Sequence, residues 1–246
     1  MTSDHTETRT LAEAIDRELR ECGSAERAQR EKSYLKSELV HYGVSVPDTR
    51  SIVRAALRGA GLSHDEVVEL ATTLWSEPPN APVHERRTAA TMVLIQSRDR
   101  LGAGDAEVVE ALLRQARTWA LVDPLACDLV GPLSDTGPGF GPVLERWAVD
   151  EDFWIRRAAL LAHLVPLRRG HGDFQRFARF AEAMLEEKEF FIRKAIGWVL
   201  RDTSKKRSEL VYDWLLPRAH RASGVTIREA IKHLSEAQRQ AVLAAR

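Results

Sequence analysis

The sequence predicts an all-α protein built from repeated helix pairs, and three observations support this fold class. Apolar residues recur every three or four positions in segments such as TLAEAIDRELREC (10–22) and HDEVVELATTLW (64–75), as on the buried face of a helix. No six-residue segment alternates apolar and polar residues between hairpin turns. Short breakers separate helices of 10 to 18 residues, and they lie at 61–63, 76–82, 101–105, 134–142 and 168–173.

An internal repeat sets the architecture. Four segments share one design, with basic residues in the first turn followed by small or aliphatic residues: ERRTAATMVLIQ (85–96), WIRRAALLAHLV (154–165), FIRKAIGWVLRD (191–202) and TIREAIKHLSEA (226–237). Aligning them with VPDTRSIVRAAL and LVDPLACDLV gives a series with spacings of 37, 36, 34, 37 and 35 residues, namely Arg50, Arg87, Asp123, Arg157, Lys194 and Glu229. Two helices and two turns fit that period, as in HEAT-type solenoids.

The repeat predicts how the chain is organised. We expect a single domain over residues 1–246 with about six helix pairs, in which equivalent positions line a concave binding face. Residues 1–9 are expected to form a flexible N-terminus. The segment SDTGPGFGP (134–142) is expected to be a loose loop at the edge of that face.

Asp123 is an acid in a row whose other members are mainly cations. Its local sequence is typical of a helix start, with Asp123 as the N-cap and Pro124 as the first helical residue. Capping alone does not predict an acid at this register of the repeat. A helix N-terminus also favours an ionised carboxylate, so capping is compatible with a chemical role for Asp123.

Composition limits the function classes. The net charge is zero, but residues 1–150 carry 17 Lys and Arg against 24 Asp and Glu, whereas residues 151–246 carry 19 against 12. A basic half suits a polyanionic partner, although solvated helix surfaces would give the same count. No apolar run is long enough to span a bilayer and the first twenty residues are charged, so we expect a cytoplasmic protein without signal peptide or anchor.

No cofactor is implied by the sequence. Cys22 and Cys127 lie far apart without the spacing of a disulfide framework or a zinc site. The segments RAHRASG and IKHLSE show no metal-ligand spacing either. Neither a Gly-rich phosphate loop nor a Ser/His/Asp arrangement is present, so we predict no metal.

Several segments carry a resemblance to a known family. TWALVD (118–123), FWIRRAALLAHL (153–164), KEFFIRKAIGWVLR (188–201) and REAIKHL (228–234) resemble the DNA alkylation repair family, the AlkD-type DNA glycosylases built from HEAT-like repeats. The resemblance extends from about Leu11 to about Leu234. It implies excision of cationic purines alkylated at N3 or N7 from duplex DNA, leaving an abasic site, without drawing the lesion into a base pocket.

The resemblance also assigns residues. It implies that Asp123 is the catalytic carboxylate, that Trp119 and Trp198 line the cleft, and that Arg157 holds a phosphate beside the lesion. Arg156 adds a charge next to Arg157, which leaves open which of the two contacts the phosphate. Further DNA contacts are expected from a basic track and from a segment near the cleft: Arg193, Lys194, Arg201, Arg228 and Lys232, with Tyr34 and Lys36. Arg50 and Arg87 could contact DNA or solvent.

The implied chemistry is consistent with this residue set. A purine alkylated at N3 or N7 is cationic and leaves as a neutral base, so no strong acid is needed. A fixed negative charge near C1′ stabilises the oxocarbenium-like sugar. No lysine accompanies Asp123 in sequence, and we therefore expect a monofunctional base excision repair enzyme that acts as a monomer near the nucleoid.

Two alternatives stay open at this stage. One is a non-catalytic helical-repeat scaffold that binds DNA or a protein partner, since solenoids bind more often than they catalyse. The other keeps the enzyme but changes its substrate to bulky natural-product adducts, which a shallow open cleft would admit.

Overall fold

The computed structural model describes residues 4–136 and 139–246, and these residues are mostly helical. The α-helices are α1 (Asp4–Glu21), α2 (Ala25–Leu35), α3 (Val46–Leu57), α4 (His64–Ser76), α5 (His84–Gln96), α6 (Ala106–Ala116), α7 (Trp119–Pro124), α8 (Gly131–Thr136), α9 (Phe140–Trp147), α10 (Phe153–Leu161), α11 (Leu164–Arg169), α12 (Phe174–Ala183), α13 (Phe190–Ser204), α14 (Ser208–Leu215), α15 (Gly224–Ala230) and α16 (Glu236–Ala244). Short 3₁₀ helices lie at Arg98–Arg100, Ala103–Asp105, Leu216–Arg218 and Ile231–His233, and a π-helix at Leu125–Val130.

The predicted all-α fold is confirmed. Within the two described ranges no strand forms, and Val40 and Val83 make an isolated parallel bridge. None of the described helices is long and apolar enough to cross a membrane. The charged positions of the repeat each fall at the fourth to sixth residue of a helix: Arg50 in α3, Arg87 in α5, Asp123 in α7, Arg157 in α10, Lys194 in α13 and Glu229 in α15.

The chain divides into two compact units. The first comprises Met1–Asp105 and Ala116–Pro124, and the second comprises Ala106–Gln115 and Leu125–Arg246. In the first unit α1, α3, α4 and α5 pack against one another around Trp75, which is fully buried. In the second unit α13 is the central helix, because it packs against α10, α11, α14 and α15. The single-domain organisation stays a prediction.

Two segments that were expected to be irregular are partly helical and partly outside the described residues: the N-terminus at residues 1–9 and the loop at residues 134–142. Helix α1 begins at Asp4, so residues 4–9 are helical, where the sequence suggested a flexible segment. Thr8 anchors this turn, because it is buried and its hydroxyl donates to Glu69 Oε2 at 2.9 Å. Residues 1–3 lie outside the description. In the segment 134–142, which was expected to be a loose loop, residues 134–136 belong to α8 and residues 140–142 belong to α9, and residues 137–138 lie outside the description.

The N-cap interpretation of Asp123 is wrong. Helix α7 begins at Trp119, because the amides of Leu121 and Val122 donate to the Thr118 carbonyl at 3.2 and 3.0 Å. Asp123 is therefore the fifth helical residue, and Pro124 lies inside the helix. The π-helix starts directly after Pro124, and such a widened turn accommodates a residue without an N–H. Burial of the apolar face outweighed the local signal for a helix start at Asp123.

Gly197 allows α13 and α15 to approach closely in the second unit. A Cβ at this position would lie 2.8 Å from the Cβ of Glu229 and 3.0 Å from the Thr226 carbonyl oxygen. Thr226 is fully buried, and its hydroxyl donates to the Arg193 carbonyl at 3.1 Å. Only a glycine fits here without displacing α15, which explains the Gly-Trp pair of the sequence.

We predict that Gly197→Ala lowers the free energy of unfolding by about 1–2 kcal/mol. Overpacking costs about 1–3 kcal/mol, and the better helix propensity of alanine returns up to about 1 kcal/mol. Chemical denaturation measures the difference. Gly102→Ala is the control, because a Cβ at Gly102 meets nothing within 4 Å. Equal stability of Gly197→Ala and wild type would contradict the close packing.

Candidate DNA-repair site

The residues predicted from the sequence belong to both units. The first unit holds Tyr34, Lys36, Trp119 and Asp123, and the second holds Arg156, Arg157, Arg193, Lys194, Trp198, Arg201, Arg228 and Lys232. Each group is described within its own unit.

Two aromatic rings from different helices meet in the first unit. Trp119 is the first residue of α7 and is half-buried, while Tyr34 lies in the last turn of α2 with 73% of its surface exposed. Their ring centroids are 6.1 Å apart with planes at 88°, an edge-to-face contact. Lys36 caps α2 with a left-handed φ of 50° and is exposed. The pair thus forms a partly open aromatic surface beside a cation.

Asp123 lies one helical turn after Trp119. Residues four apart share a helix face, so the carboxylate follows the indole on the same side of α7. The residue is only 9% exposed. A carboxylate with so little solvent around it acts on nearby charge far more strongly than one in water. The structure therefore provides a nearly buried acid next to a half-exposed aromatic ring.

Arg157 is more buried than its basic sequence context suggests. It is 3% exposed, Nη1 donates to the Phe191 carbonyl, and the guanidinium lies 5.7 Å from the Phe191 ring centroid. These contacts connect α10 to the first turn of α13. A direct contact with a DNA phosphate would require the side chain to leave this position.

Arg156 also has protein partners. Its guanidinium forms a salt bridge with Glu187 at 2.8 Å and donates to the carbonyls of Asp150 and Glu151 at 2.6 and 2.9 Å. Arg193 approaches the same segment, because its Nε donates to the Glu187 carbonyl at 2.6 Å. Both arginines therefore brace the turn that precedes α13.

Three cations of the predicted basic track converge on Glu229. Lys194 and Lys232 place Nζ 2.7 and 3.0 Å from Glu229 Oε1, and Arg201 pairs with Oε2. Burial alone would raise the pKa of Glu229, but hydrogen bonds from the two lysines and the charge of Arg201 lower it to about 2. Glu229 is thus ionised at neutral pH, and the cluster retains an excess of positive charge.

The remaining candidates differ in exposure. Trp198 follows Lys194 by one turn of α13 and is half-buried, while Arg228 is exposed on α15. Arg50 and Arg87 were the two arginines expected to contact either DNA or solvent, and Arg50 is exposed. Arg87 is buried, with its guanidinium 4.9 Å from the Trp75 ring centroid.

Sequence reasoning missed an aromatic stack beneath Arg157. Trp154 lies 4.6 Å from Phe153 and 4.8 Å from Phe191, measured between ring centroids, and Phe190 beside them is 53% exposed. The signal was present in the sequence, because the aromatic pairs at 153–154 and 190–191 occupy equivalent positions at the starts of α10 and α13. These aromatic contacts fix the position of α10 on α13.

Comparison with known proteins identifies the family. A family model described as DNA alkylation repair enzyme matches residues 15–234. A solved structure described as "Predicted DNA alkylation repair enzyme from Enterococcus faecalis" matches with a TM-score of 0.75 and 23% identity, covering 87% of this chain and 97% of that one. AlkD2 from Streptococcus mutans matches with a TM-score of 0.60 and 16% identity, covering 85% and 99%.

At these identities the two structures establish the shared fold alone. No curated protein matches the sequence significantly. The family match, by contrast, spans most of the chain, from within α1 to the turn before α16. This chain therefore belongs to the DNA alkylation repair enzyme family.

Proposed function

We propose that this protein is a DNA glycosylase that hydrolyses the N-glycosidic bond of purines alkylated at N3 or N7 in duplex DNA. The observation that carries the proposal is Asp123, a nearly buried carboxylate one helical turn from the half-exposed Trp119, in a member of a DNA alkylation repair family. The product is an abasic site. The enzyme acts as a monomer, and no lysine beside Asp123 in sequence supplies a lyase step.

The carboxylate stabilises positive charge on the sugar. As the neutral base leaves, charge develops at C1′, and Asp123 offsets it while orienting the attacking water. A unit charge pair at about 4 Å and an effective dielectric near 20 is worth roughly 4 kcal/mol. That energy corresponds to about three decades in rate.

An aromatic residue one turn before Asp123 holds the cationic lesion. Trp119 presents a partly exposed ring in the first unit, where a cation over the indole face gains about 0.5–2 kcal/mol, and Trp198 presents a partly exposed ring in the second unit. The exposed Tyr34 extends the Trp119 surface. Because this attraction acts on a lesion that stays in the duplex, the proposal needs no base pocket and no flipping of the nucleotide.

Cations of the second unit contact the phosphates. Lys194, Arg201 and Lys232 carry more charge than Glu229 neutralises, and Arg228 adds an exposed guanidinium. Glu229 holds the three cations in place before DNA arrives, which reduces the entropy lost on binding. Arg157 was expected to bind a phosphate, but its buried contacts with Phe191 support a positioning role. We propose that Arg157 orients α13 so that the cations of this helix contact the phosphates.

A non-catalytic DNA-binding scaffold is the second candidate. The observation that favours it is the low exposure of Asp123, because a reacting sugar has to approach the carboxylate closely. The two candidates differ in one outcome. A scaffold binds duplex DNA in a salt-dependent manner and releases no base, whereas the glycosylase releases the alkylated purine.

We predict that Asp123→Asn reduces release of 7-methylguanine from methylated duplex by about three decades, because the substitution removes the charge while keeping the volume. Single-turnover release measures the effect, and thermal unfolding checks that the variant folds. Asp128→Asn is the control, since Asp128 is exposed five residues further along the chain. Equal release by Asp123→Asn and wild type would exclude the proposed chemistry.

We predict that Lys232→Gln weakens duplex binding and reduces the slope of log K against log salt by about one, because one phosphate contact is lost. Binding at several salt concentrations gives the slope. Arg179→Gln is the matched control, because Arg179 lies on α12, which carries no member of the repeat series, and pairs with Glu145. A slope unchanged in Lys232→Gln but reduced in Arg179→Gln would place DNA on a different surface.

We predict that small cationic adducts are released faster than neutral ones, because the aromatic rings and Asp123 both act on positive charge. A panel of defined lesions in one duplex, with released bases identified by mass, tests this and includes a bulky cationic adduct. Faster release of the bulky adduct than of 7-methylguanine would assign the enzyme to the bulky substrate class. Release of neutral lesions at the same rate would contradict the role given to charge.

A further inference from the structure

A second cluster of polar side chains lies in the first unit, apart from Trp119 and Asp123 in the sequence. It forms where the loop after α2 meets the start of α5. The amide of Val40 donates to the Pro82 carbonyl at 3.0 Å, and the amide of His84 donates to the Val40 carbonyl at 2.9 Å. This backbone bridge brings His41 against His84, and their rings stack with centroids 4.6 Å apart and planes within 9°.

Three ring nitrogens of the two imidazoles are buried without a hydrogen-bond partner among the described residues. They are both ring nitrogens of His41 and Nδ1 of His84, and His84 as a whole is 8% exposed. Leaving a buried polar group unpaired costs about 1–3 kcal/mol, and native proteins seldom tolerate several at one place. Three such atoms in one stack therefore indicate that something else occupies the site.

Two carboxylates complete the cluster. One oxygen each of Glu31 and Glu85 and one ring nitrogen of His41 all lie within 4.8 Å of one another. No direct hydrogen bond joins His41 to either carboxylate, because its nitrogens are unpartnered. The three groups are thus close enough for one ion to contact all of them, and Glu31 Oε1 also pairs with Arg27 Nε at 2.7 Å.

Glu85 is rigidly held and oriented. It is 1% exposed, and its oxygens accept the amides of Tyr42, Gly43 and Val44 at 2.9, 2.7 and 3.3 Å. Gly43 has a φ of 79°, and a Cβ there would lie 2.1 Å from the Ser24 carbonyl oxygen, so the loop cannot shift easily. Such hydrogen bonds fix the orientation of a carboxylate and the direction of its free lone pairs, as around metal ligands.

The donor atoms of the cluster, one imidazole nitrogen and two carboxylate oxygens, indicate which class of metal ion would bind. An imidazole nitrogen offers a lone pair to a transition metal ion, and neither ring nitrogen of His41 has a hydrogen-bond partner among the described residues. A neutral imidazole with carboxylates is typical of zinc sites, whereas Mg²⁺ and Ca²⁺ prefer oxygen ligands alone.

We propose that Glu31, His41 and Glu85 bind one divalent transition metal ion, with Zn²⁺ the best match, and that the stacked His84 fixes the ring plane of His41. Ligand atoms of a tetrahedral zinc site are about 3.3 Å apart, so binding brings the three groups to about that spacing. The ion ties α2 and its following loop to α5. Its role is structural, and it does not depend on the proposed base release.

The test uses the full-length protein after removal of metal by a chelator. Titration with Zn²⁺ is expected to give one bound equivalent that raises the midpoint of thermal unfolding by about 5 °C at a hundredfold excess over Kd. Co²⁺ reports on the same site, because a tetrahedral complex absorbs visible light. His41→Gln and Glu31→Gln should each reduce Zn²⁺ affinity at least tenfold, and the half-buried Glu31 offers a variant that spares the loop.

The control is His220→Gln, since His220 is an exposed histidine of the second unit. It should bind Zn²⁺ as wild type does. Absence of a bound equivalent, or affinity that survives both His41→Gln and Glu31→Gln, would overturn the proposal and leave buried water as the partner of the imidazoles. Because the readouts are stoichiometry, unfolding and absorption, a failed base-release assay would not affect this result.

Discussion

Burial of charge at one register of the repeat is the constraint on which the rest of the structure depends. Arg87, Asp123, Arg157 and Glu229 occupy equivalent positions of four helices, and each is at most 9% exposed. A buried charge is tolerated only with partners that replace its lost hydration. The helices therefore pack so that carbonyls, aromatic faces and opposite charges surround this row. The same requirement that organises the helices also fixes the side chains at this register.

The cations of the second unit show how that requirement shapes a binding surface. Glu229 occupies the same register as Asp123, but Lys194, Arg201 and Lys232 surround it. The carboxylate therefore neutralises part of their charge and holds the three side chains in place. Gly197 permits this arrangement by letting α15 approach α13. Arg157 and Phe191 connect α10 to the same helix. The surface is preorganised, and only its excess positive charge is available to a polyanion.

The histidine cluster of the first unit differs from the Glu229 cluster in how its buried polar atoms are paired. Here the partners are missing, since the buried ring nitrogens of His41 and His84 have none while two carboxylates stand nearby. The contrast with Glu229 is informative, because the second unit satisfies its buried acid with cations of its own chain. In the first unit Glu31 pairs with Arg27 and Glu85 accepts three backbone amides, so the imidazole nitrogens are the groups for which the proposed metal ion supplies the partner.

The sequence by itself determined the helices, the period of about 35 residues and the family. These depend on patterns within one helix or one repeat, which the 3.6-residue periodicity and the motifs around Trp119 and Trp198 make visible. The repeat alignment also placed equivalent residues at the same point of successive helices, although Asp123 lies inside α7 and not at the N-cap that its local sequence predicted.

Tertiary structure alone decided which of those residues face solvent. Arg157 is covered by Phe191, 34 residues further along, and His41 meets His84 across 43 residues, so no local pattern reports either contact. For Asp123 the local signal pointed to a cap, yet burial of Leu121, Val122 and Leu125 carried the helix through Pro124. Exposure is a property of contacts between distant segments, because the free energy of burying a face exceeds that of any single cap.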